Sequence, residues 1–228
     1  MTQRSEFLRQ ASLLAAGSMA ASSLEAQASA TASATATSVP QGANAWDMSW
    51  VDRITGKYRM AFDAPEVSDG TVLHQTRNFL SGYSAVYGLT DADLSAVMVI
   101  RHAAIAMVLS DALWADGMFG EKEKLKDPQT GETAKRNPFI NVAPGSRHAL
   151  TWPDGALDTL MTRGVIVLAC DLAMRNVAGS IASARLIPRQ DATKLVMDNL
   201  LPGVYRMPTG VFATCRAQAA GCGVMHAV

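Results

Sequence analysis

The stretch Met161-Thr-Arg-Gly-Val-Ile-Val-Leu-Ala-Cys-Asp171 is the clearest strand-to-helix signal in this 228-residue chain. Residues 165–169 form an unbroken apolar run that is introduced by Gly164 and is too short for an independent helix. Such a run is typical of a parallel strand buried on both faces. Cys170 and Asp171 follow where this strand would turn into a helix. Because open α/β sheets bind ligands beyond the carboxyl ends of their strands, the stretch predicts a thiol at a functional edge.

The position of Cys170 allows two interpretations. A thiol at the amino end of a helix faces unpaired backbone N–H groups and the positive end of the helix dipole, which favour the thiolate. The neighbouring carboxylate of Asp171 acts in the opposite direction. Cys170 is therefore either a reactive thiolate or a buried cysteine that packs as a small hydrophobic residue.

Strand-like and helix-like segments alternate through the rest of the chain. The segment 71–87 carries apolar residues at close to helical spacing and is followed by Gly88, a residue typical of helix ends. This alternation predicts an α/β fold with a mainly parallel sheet of about five strands and helices on both faces. The predicted strands are 58–62, 96–100, 165–169, 203–207 and 223–227. The predicted helices are 71–87, 105–114, 154–162, 172–182, 191–201 and 209–220.

One segment, at about 116–153, interrupts this alternation. It contains a charged run at 121–126 and four pairs of turn-forming residues, Asp127-Pro128, Thr130-Gly131, Asn137-Pro138 and Pro144-Gly145. A segment of this length with so little regular pattern tends to be a lid, a binding loop or an oligomer contact. We therefore predict one domain over residues 46–228 that carries a long insert.

The amino terminus has the features of an export signal. Two arginines and the pair Phe7-Leu8 precede a weakly apolar stretch at 11–21, and Ala26-Gln27-Ala28 is typical of a cleavage site. We therefore predict a signal peptide at 1–28 and a periplasmic or otherwise exported protein. A disordered tail on a cytoplasmic protein is the alternative interpretation.

The segment Gln3-Arg-Ser-Glu-Phe-Leu-Arg9 resembles a twin-arginine signal, Ser-Arg-Arg-x-Phe-Leu-Lys, with Ser5 in place of the second arginine. The resemblance implies twin-arginine translocation, and the general secretory route is the alternative. Residues 29–38 are Ser, Ala and Thr without a large apolar side chain, so we predict a disordered linker at 29–45.

Composition and motifs argue against several functional classes. The chain has 20 acidic and 20 basic residues, so its charge balance gives no footprint for nucleic acid. No apolar run approaches the roughly 20 residues that span a bilayer. Gly-x-Gly-x-x-Gly and phosphate-loop motifs are absent, and the three cysteines and four histidines lack metal-ligand spacing. We therefore predict no cofactor, no metal, no nucleic-acid partner and no membrane span.

Three residues near Cys170 are further candidates for a site. His102 follows the strand at 96–100 and would share a sheet edge with Cys170, where it could serve as base or counter-charge; a structural histidine is the alternative. Arg101 offers a fork of donors to an anionic sulfur substrate, or is a surface arginine. Asp171 is the other candidate binding residue.

Cys215 and Cys222 are seven residues apart, on and just beyond the predicted helix at 209–220. In an oxidising compartment they could form a disulfide if their Cα atoms lie within about 7 Å. Two separate reduced cysteines are the alternative.

Several short motifs occur together in the carboxyl half. They are Leu160-x-x-x-Gly-Val-x-Val-x-Ala-Cys170, Leu201-Pro-Gly-Val204, Pro208-x-Gly-Val211 and Ala217-Gln-x-x-Gly221. With residues 97–102 and Ser110-Asp-Ala-Leu-Trp114, they resemble the DsrE/DsrF-like family of sulfur-relay proteins over residues 58–228. The long insert after Trp114 and the export signal depart from the small cytoplasmic members of that family.

The resemblance implies a flavodoxin-like doubly wound domain, assembly as trimers or hexamers, and a cysteine that carries sulfur as a persulfide. Cys170 occupies a cysteine position that recurs in DsrE-like sequences. We therefore expect an exported protein that handles reduced sulfur through Cys170, with a protein or a small sulfur compound as donor or acceptor. A noncatalytic periplasmic module for small-ligand binding or assembly is the alternative, so whether the protein is a sulfur transferase stays open.

Overall fold

The computed structural model describes residues 46–228. The predicted signal peptide at 1–28 and linker at 29–45 lie outside the described residues. The described part contains a five-stranded sheet in the order β4-β3-β2-β1-β5, and every strand pair is parallel. The strands are β1 Tyr58–Ala64, β2 Leu94–Ile100, β3 Ile166–Cys170, β4 Tyr205–Met207 and β5 Gly223–His226.

Helices cover both faces of this sheet, which confirms the predicted α/β flavodoxin-like class. The α-helices are α1 Thr71–Tyr87, α2 Asp111–Trp114, α3 Met118–Lys122, α4 Leu157–Thr162, α5 Asp171–Arg185, α6 Arg189–Asp198 and α7 Gly210–Ala219. Short 3₁₀ helices lie at Ser49–Val51, Ser68–Gly70, Asp91–Asp93, His102–Val108 and Pro153–Gly155. No helix in the described part of the chain combines the length and the apolar character needed to cross a bilayer.

The two faces of the sheet carry separate cores. One core contains buried residues of α1, α4, α5 and α6, and we call this side the α5 face. The other core is smaller, and there Trp50 and Ile54 join buried residues of α7; we call this side the α7 face. β3 is buried along its whole length because both cores cover it, as its unbroken apolar sequence predicts.

The connections explain why α7 is on the opposite face from the other crossover helices. β1 to β4 are laid down side by side in one direction, and right-handed crossovers in one direction place their helices on one face. The chain then returns from β4 to pair β5 with the free side of β1. This reversal of direction puts α7 on the other face.

The predicted helix at 105–114 is wrong except over its last four residues, which form α2. The chain there forms the 3₁₀ helix His102–Val108, and Leu109 then makes an antiparallel bridge to Leu200 before α2 begins. The side-chain amide of Asn137 donates hydrogen bonds to the carbonyls of Met107 and Leu109. These bonds, together with burial of residues 104–109, replace the internal bonds of a continuous helix.

The insert at about 116–153 packs into the core of the α5 face. Phe119, Leu125, Ala134 and Phe139 are all buried there. Asp127 closes a turn by accepting hydrogen bonds from the backbone N–H groups of Gln129 and Thr130. The insert is therefore part of the folded domain, while a role as a lid, binding loop or oligomer contact stays a prediction.

Candidate functional site

β3 and β4 end side by side at the carboxyl edge of the sheet, and their connections leave on opposite faces. β3 leads into α5 on one face of the sheet, while β4 leads into α7 on the opposite face. In open α/β sheets, two adjacent strands whose connections leave on opposite faces form a crevice at their carboxyl ends, and ligands bind there. Cys170 and Met207 are Cα partners at this point. The predicted cysteine therefore lies at the switch point of the sheet, and we call this place the switch-point crevice.

Cys170 is the N-cap residue of α5. Its backbone is extended, with φ −73° and ψ 111°, and its side chain accepts no capping hydrogen bond. α5 is 15 residues long, so its free N–H groups and dipole are available to a negative charge at its amino end. Cys170 is 6% exposed, so an approaching reagent meets a thiol that is largely covered.

Arg101 follows β2, the strand beside β3, and its side chain is held by Asp63 of β1. The guanidinium donates two hydrogen bonds to that carboxylate, Nε to Oδ1 at 2.6 Å and Nη2 to Oδ2 at 2.8 Å. His226 of β5 approaches the same carboxylate, with Nδ1 3.1 Å from Oδ2. The predicted fork of donors on Arg101 is thus directed at Asp63, which reduces what it can offer to an anionic substrate.

Charge around this group shifts two pKa values. Burial by itself raises the pKa of Asp63, but the hydrogen bonds and charges of Arg101 and His226 outweigh it and lower the pKa overall. The hydrogen bond to Asp63 raises the pKa of Arg101, and ionised Cys170 adds to this rise. Arg101 is therefore a permanent positive charge within electrostatic reach of Cys170.

Asp171 is buried at the start of α5, beside Cys170. Its side chain is 6% exposed, and Oδ2 accepts a hydrogen bond from Nε of Arg175 at 2.6 Å. Nε of Arg206, on β4, is 3.6 Å from Oδ1, which is an ion pair without a hydrogen bond. The two arginines offset the Asp171 charge, so the carboxylate opposes a Cys170 thiolate less than the sequence suggests.

His102 does not form the predicted pair with Cys170. It is exposed, its φ of 47° is left-handed, and its ring makes no hydrogen bond or ion pair among residues 46–228. The left-handed turn starts the 3₁₀ helix directly after β2 and changes the direction of the chain there. The expectation that both residues lie at the carboxyl edge is correct, but the predicted hydrogen bond is absent from the described contacts.

The predicted disulfide between Cys215 and Cys222 is also not formed, and both thiols are free. Cys215 is on the exposed side of α7, whereas Cys222 is buried in the core beneath that helix. Burial raises the pKa of Cys222, and the charge of Arg59 only partly offsets this. Cys222 is therefore a buried thiol whose ionisation is disfavoured.

Four residues at this edge of the sheet were not among the sequence candidates. Asp63 and His226 complete the group around Arg101, and Arg175 and Arg206 pair with Asp171. Asp63, near the end of β1, was a usable signal because a charged residue there interrupts an apolar run. Arg175 is four residues after Asp171, a spacing that favours an ion pair on a helix, whereas His226 and Arg206 could not be recognised without the strand order.

The described residues contain no group of three or more His, Cys, Asp or Glu side chains placed to hold a metal ion.

Comparison with known proteins adds little. No family model matches the chain, and no curated protein matches it. A solved structure of a protein of unknown function from Methanobacterium thermoautotrophicum is similar at 16% identity, over 75% of this chain and 99% of that chain, with a TM-score of 0.39. The fold class therefore rests on the sheet and its helices. The resemblance to sulfur-relay proteins stays an expectation.

Proposed function

We propose that this protein handles reduced sulfur through Cys170, which accepts it as a persulfide or as a mixed disulfide. The observation that carries the proposal is the position of Cys170, at once the N-cap of a long helix and the end of a strand at the switch point of the sheet. A thiolate is favoured at such a helix end. The resemblance of its sequence motifs to sulfur-relay proteins points to the same chemistry.

The charges around Cys170 support this role. Arg101 stays protonated through its pair with Asp63, and Asp171 is offset by Arg175 and Arg206. The carboxylate beside Cys170 is therefore paired and Arg101 is cationic, an arrangement that is compatible with a nucleophilic thiol.

The chemistry needs no outside oxidant. Sγ of Cys170 attacks the outer sulfur of a persulfide R–S–SH, the Sγ–S bond forms, and the S–S bond of the donor breaks. The leaving thiolate takes up the proton that Cys170 released, so the products are the Cys170 persulfide and R–SH. With a disulfide R–S–S–R, the same attack gives a mixed disulfide at Cys170 and R–SH.

The proposed location is outside the cytoplasm, and its support is the signal-like sequence at 1–28 alone. The same proposal includes assembly as a trimer or a hexamer and exchange of sulfur with a protein or a small sulfur compound. Measurement of the particle size in solution tests the assembly, and recovery of the protein from the periplasm tests the location.

The test of the Cys170 role is alkylation of the folded protein, read by intact mass and peptide mapping. We expect Cys170 to be labelled without denaturation. Cys170→Ser should abolish this labelling and any persulfide uptake, while Cys215→Ser should leave both in place. Persulfide uptake that survives Cys170→Ser defeats the proposal.

A second function is favoured by the low exposure of Cys170. At 6% exposure the thiol could serve as a wall of the crevice in a noncatalytic small-ligand-binding module. Labelling of Cys170 only after denaturation, together with a thermal shift caused by a small molecule, would favour this function.

A further inference from the structure

The described core leaves one oxygen beside Cys170 without a hydrogen bond. Oδ1 of Asp171 is buried and accepts no hydrogen bond from any described residue, although Oδ2 of the same carboxylate is bound by Arg175. An ionised oxygen buried without a donor is costly, because a carboxylate in water is hydrogen-bonded at both oxygens. Such an atom is a candidate acceptor for a donor from outside the chain, either a water or a ligand.

The direction of this oxygen is given by its neighbours. Nε of Arg206, on β4, forms an ion pair with it at 3.6 Å. The residue after Arg206 is Met207, the Cα partner of Cys170. Oδ1 therefore lies on the β4 side of Asp171, where the connections of β3 and β4 diverge and the switch-point crevice is expected.

We propose that Oδ1 of Asp171 is a ligand acceptor that selects small sulfur compounds carrying an N–H or O–H donor near the sulfur. The proposal rests on the proposed function of Cys170, since it names the compounds that this thiol would accept. A donor a few bonds from the reacting sulfur would bind Oδ1 while that sulfur reaches Sγ of Cys170. A compound without such a donor would leave the oxygen unpaired in the bound state.

Such an acceptor would discriminate between compounds that carry a hydrogen-bond donor and compounds that lack one. A site built to accept from a substrate donor rejects an analogue that lacks it, because the buried acceptor is then left unsatisfied. Hydrogen bonds to charged groups are stronger than those between neutral groups. We therefore expect a preference of about tenfold or more for the donor-bearing compound.

The experiment compares two neutral disulfides of nearly the same shape. One is the disulfide of N-acetylcysteamine, which has an amide N–H. The other is the disulfide of 2-mercaptoethyl acetate, in which an ester oxygen replaces that N–H. Rates of mixed-disulfide formation are measured at Cys170 in the full chain by peptide mapping, and the exposed Cys215 serves as an internal reference thiol.

The expected result is an amide-to-ester rate ratio of about ten or more at Cys170, after division by the ratio at Cys215. Asp171→Asn should bring this ratio close to one, because the amide oxygen must take the place of Oδ2 to accept from Arg175 and the amide NH2 group, which cannot accept, then lies in the place of Oδ1. The matched control is Asp191→Asn, which changes an exposed aspartate on α6 and should leave the ratio as in wild type. The wild-type ratio is a test by itself if Asp171→Asn does not fold.

Three results would overturn the proposal. Equal corrected rates at Cys170 mean that water satisfies Oδ1, and the sulfur role of Cys170 then stands without the acceptor. A preference that persists in folded Asp171→Asn assigns the selection to another group. Absence of reaction at Cys170 with either disulfide defeats the proposed function, and the selection by Asp171 falls with it.

Discussion

Arg101 lies so close to Gly210 that the first residue of α7 has no room for a side chain. A Cβ placed on Gly210 would be 2.5 Å from Cδ and 2.8 Å from Cβ of Arg101. The second of these atoms is fixed to the backbone and cannot move away alone. The chain after β4 therefore crosses the side chain that β2 supplies to this edge of the sheet, and Asp63 holds that side chain in place.

Gly210→Ala should destabilise the protein because α7 or Arg101 must shift. We expect the free energy of unfolding to fall by about 1–3 kcal/mol, as in other overpacked sites. Urea denaturation followed by circular dichroism measures this change. The matched control is Gly82→Ala in α1, where a Cβ would have nothing within 4 Å. That change should stabilise the helix by about 0.5–1 kcal/mol, and equal effects of the two substitutions would contradict the contact.

Substitutions of Arg101 separate its charge from its hydrogen bonds. Arg101→Met removes both, while Arg101→Lys keeps a positive charge but loses the fork that binds Asp63. We expect the rate of Cys170 alkylation at pH 7, relative to that of Cys215, to fall by up to about tenfold in Arg101→Met and by less in Arg101→Lys, because a nearby cation favours the nucleophilic thiolate. Both variants should be less stable than wild type. An unchanged relative rate in folded Arg101→Met would show that the charge does not act on Cys170.

Asn137→Ala should loosen the insert and the segment before α2 together. The substitution leaves the carbonyls of Met107 and Leu109 without their donors and removes the acceptor of the Phe139 N–H. Buried groups left unpaired make this costly, and we expect a loss of about 2–4 kcal/mol in the free energy of unfolding. Hydrogen exchange should rise at residues 107–109 and 139. Protection as in wild type there would argue against this anchor.

Asp127 should stabilise the insert in a pH-dependent way. The hydrogen bond from Arg136, with those from the backbone N–H groups of Gln129 and Thr130, lowers the pKa of Asp127 to about 2. Because the folded pKa lies below the unfolded value of about 3.9, this stabilisation is present above pH 4 and is lost as the pH falls toward 2.

We therefore expect Asp127→Asn to lower the free energy of unfolding by about 1–2 kcal/mol at pH 7. The difference from wild type should narrow as the pH falls below 4, as measured by urea denaturation across pH 7 to 3. Asp191→Asn is the control, since its exposed carboxylate has no partner among residues 46–228. A difference that is constant over this pH range would rule out the titration of Asp127 as its cause.

The local sequence pattern was enough to predict elements whose tertiary contacts favour the same backbone conformation. The predicted helix at 71–87 has the bounds of α1, because an apolar stripe at helical spacing and a left-handed Gly88 act within the segment itself. The segment 105–114 failed for the opposite reason. Residues 105–109 are all buried, so the packing of the insert and the side chain of Asn137 determine the backbone there.

The sequence by itself determined the alternation of strands and helices, the burial of β3 and the position of Cys170 where β3 meets α5. These features follow from hydrophobic periodicity and from the short range of helix and strand signals. Only the tertiary structure decided that Arg101 binds Asp63, that His226 approaches the same carboxylate, and that Asp171 meets Arg206. Such contacts join residues on different strands, so they depend on strand order and register, which long-range packing selects.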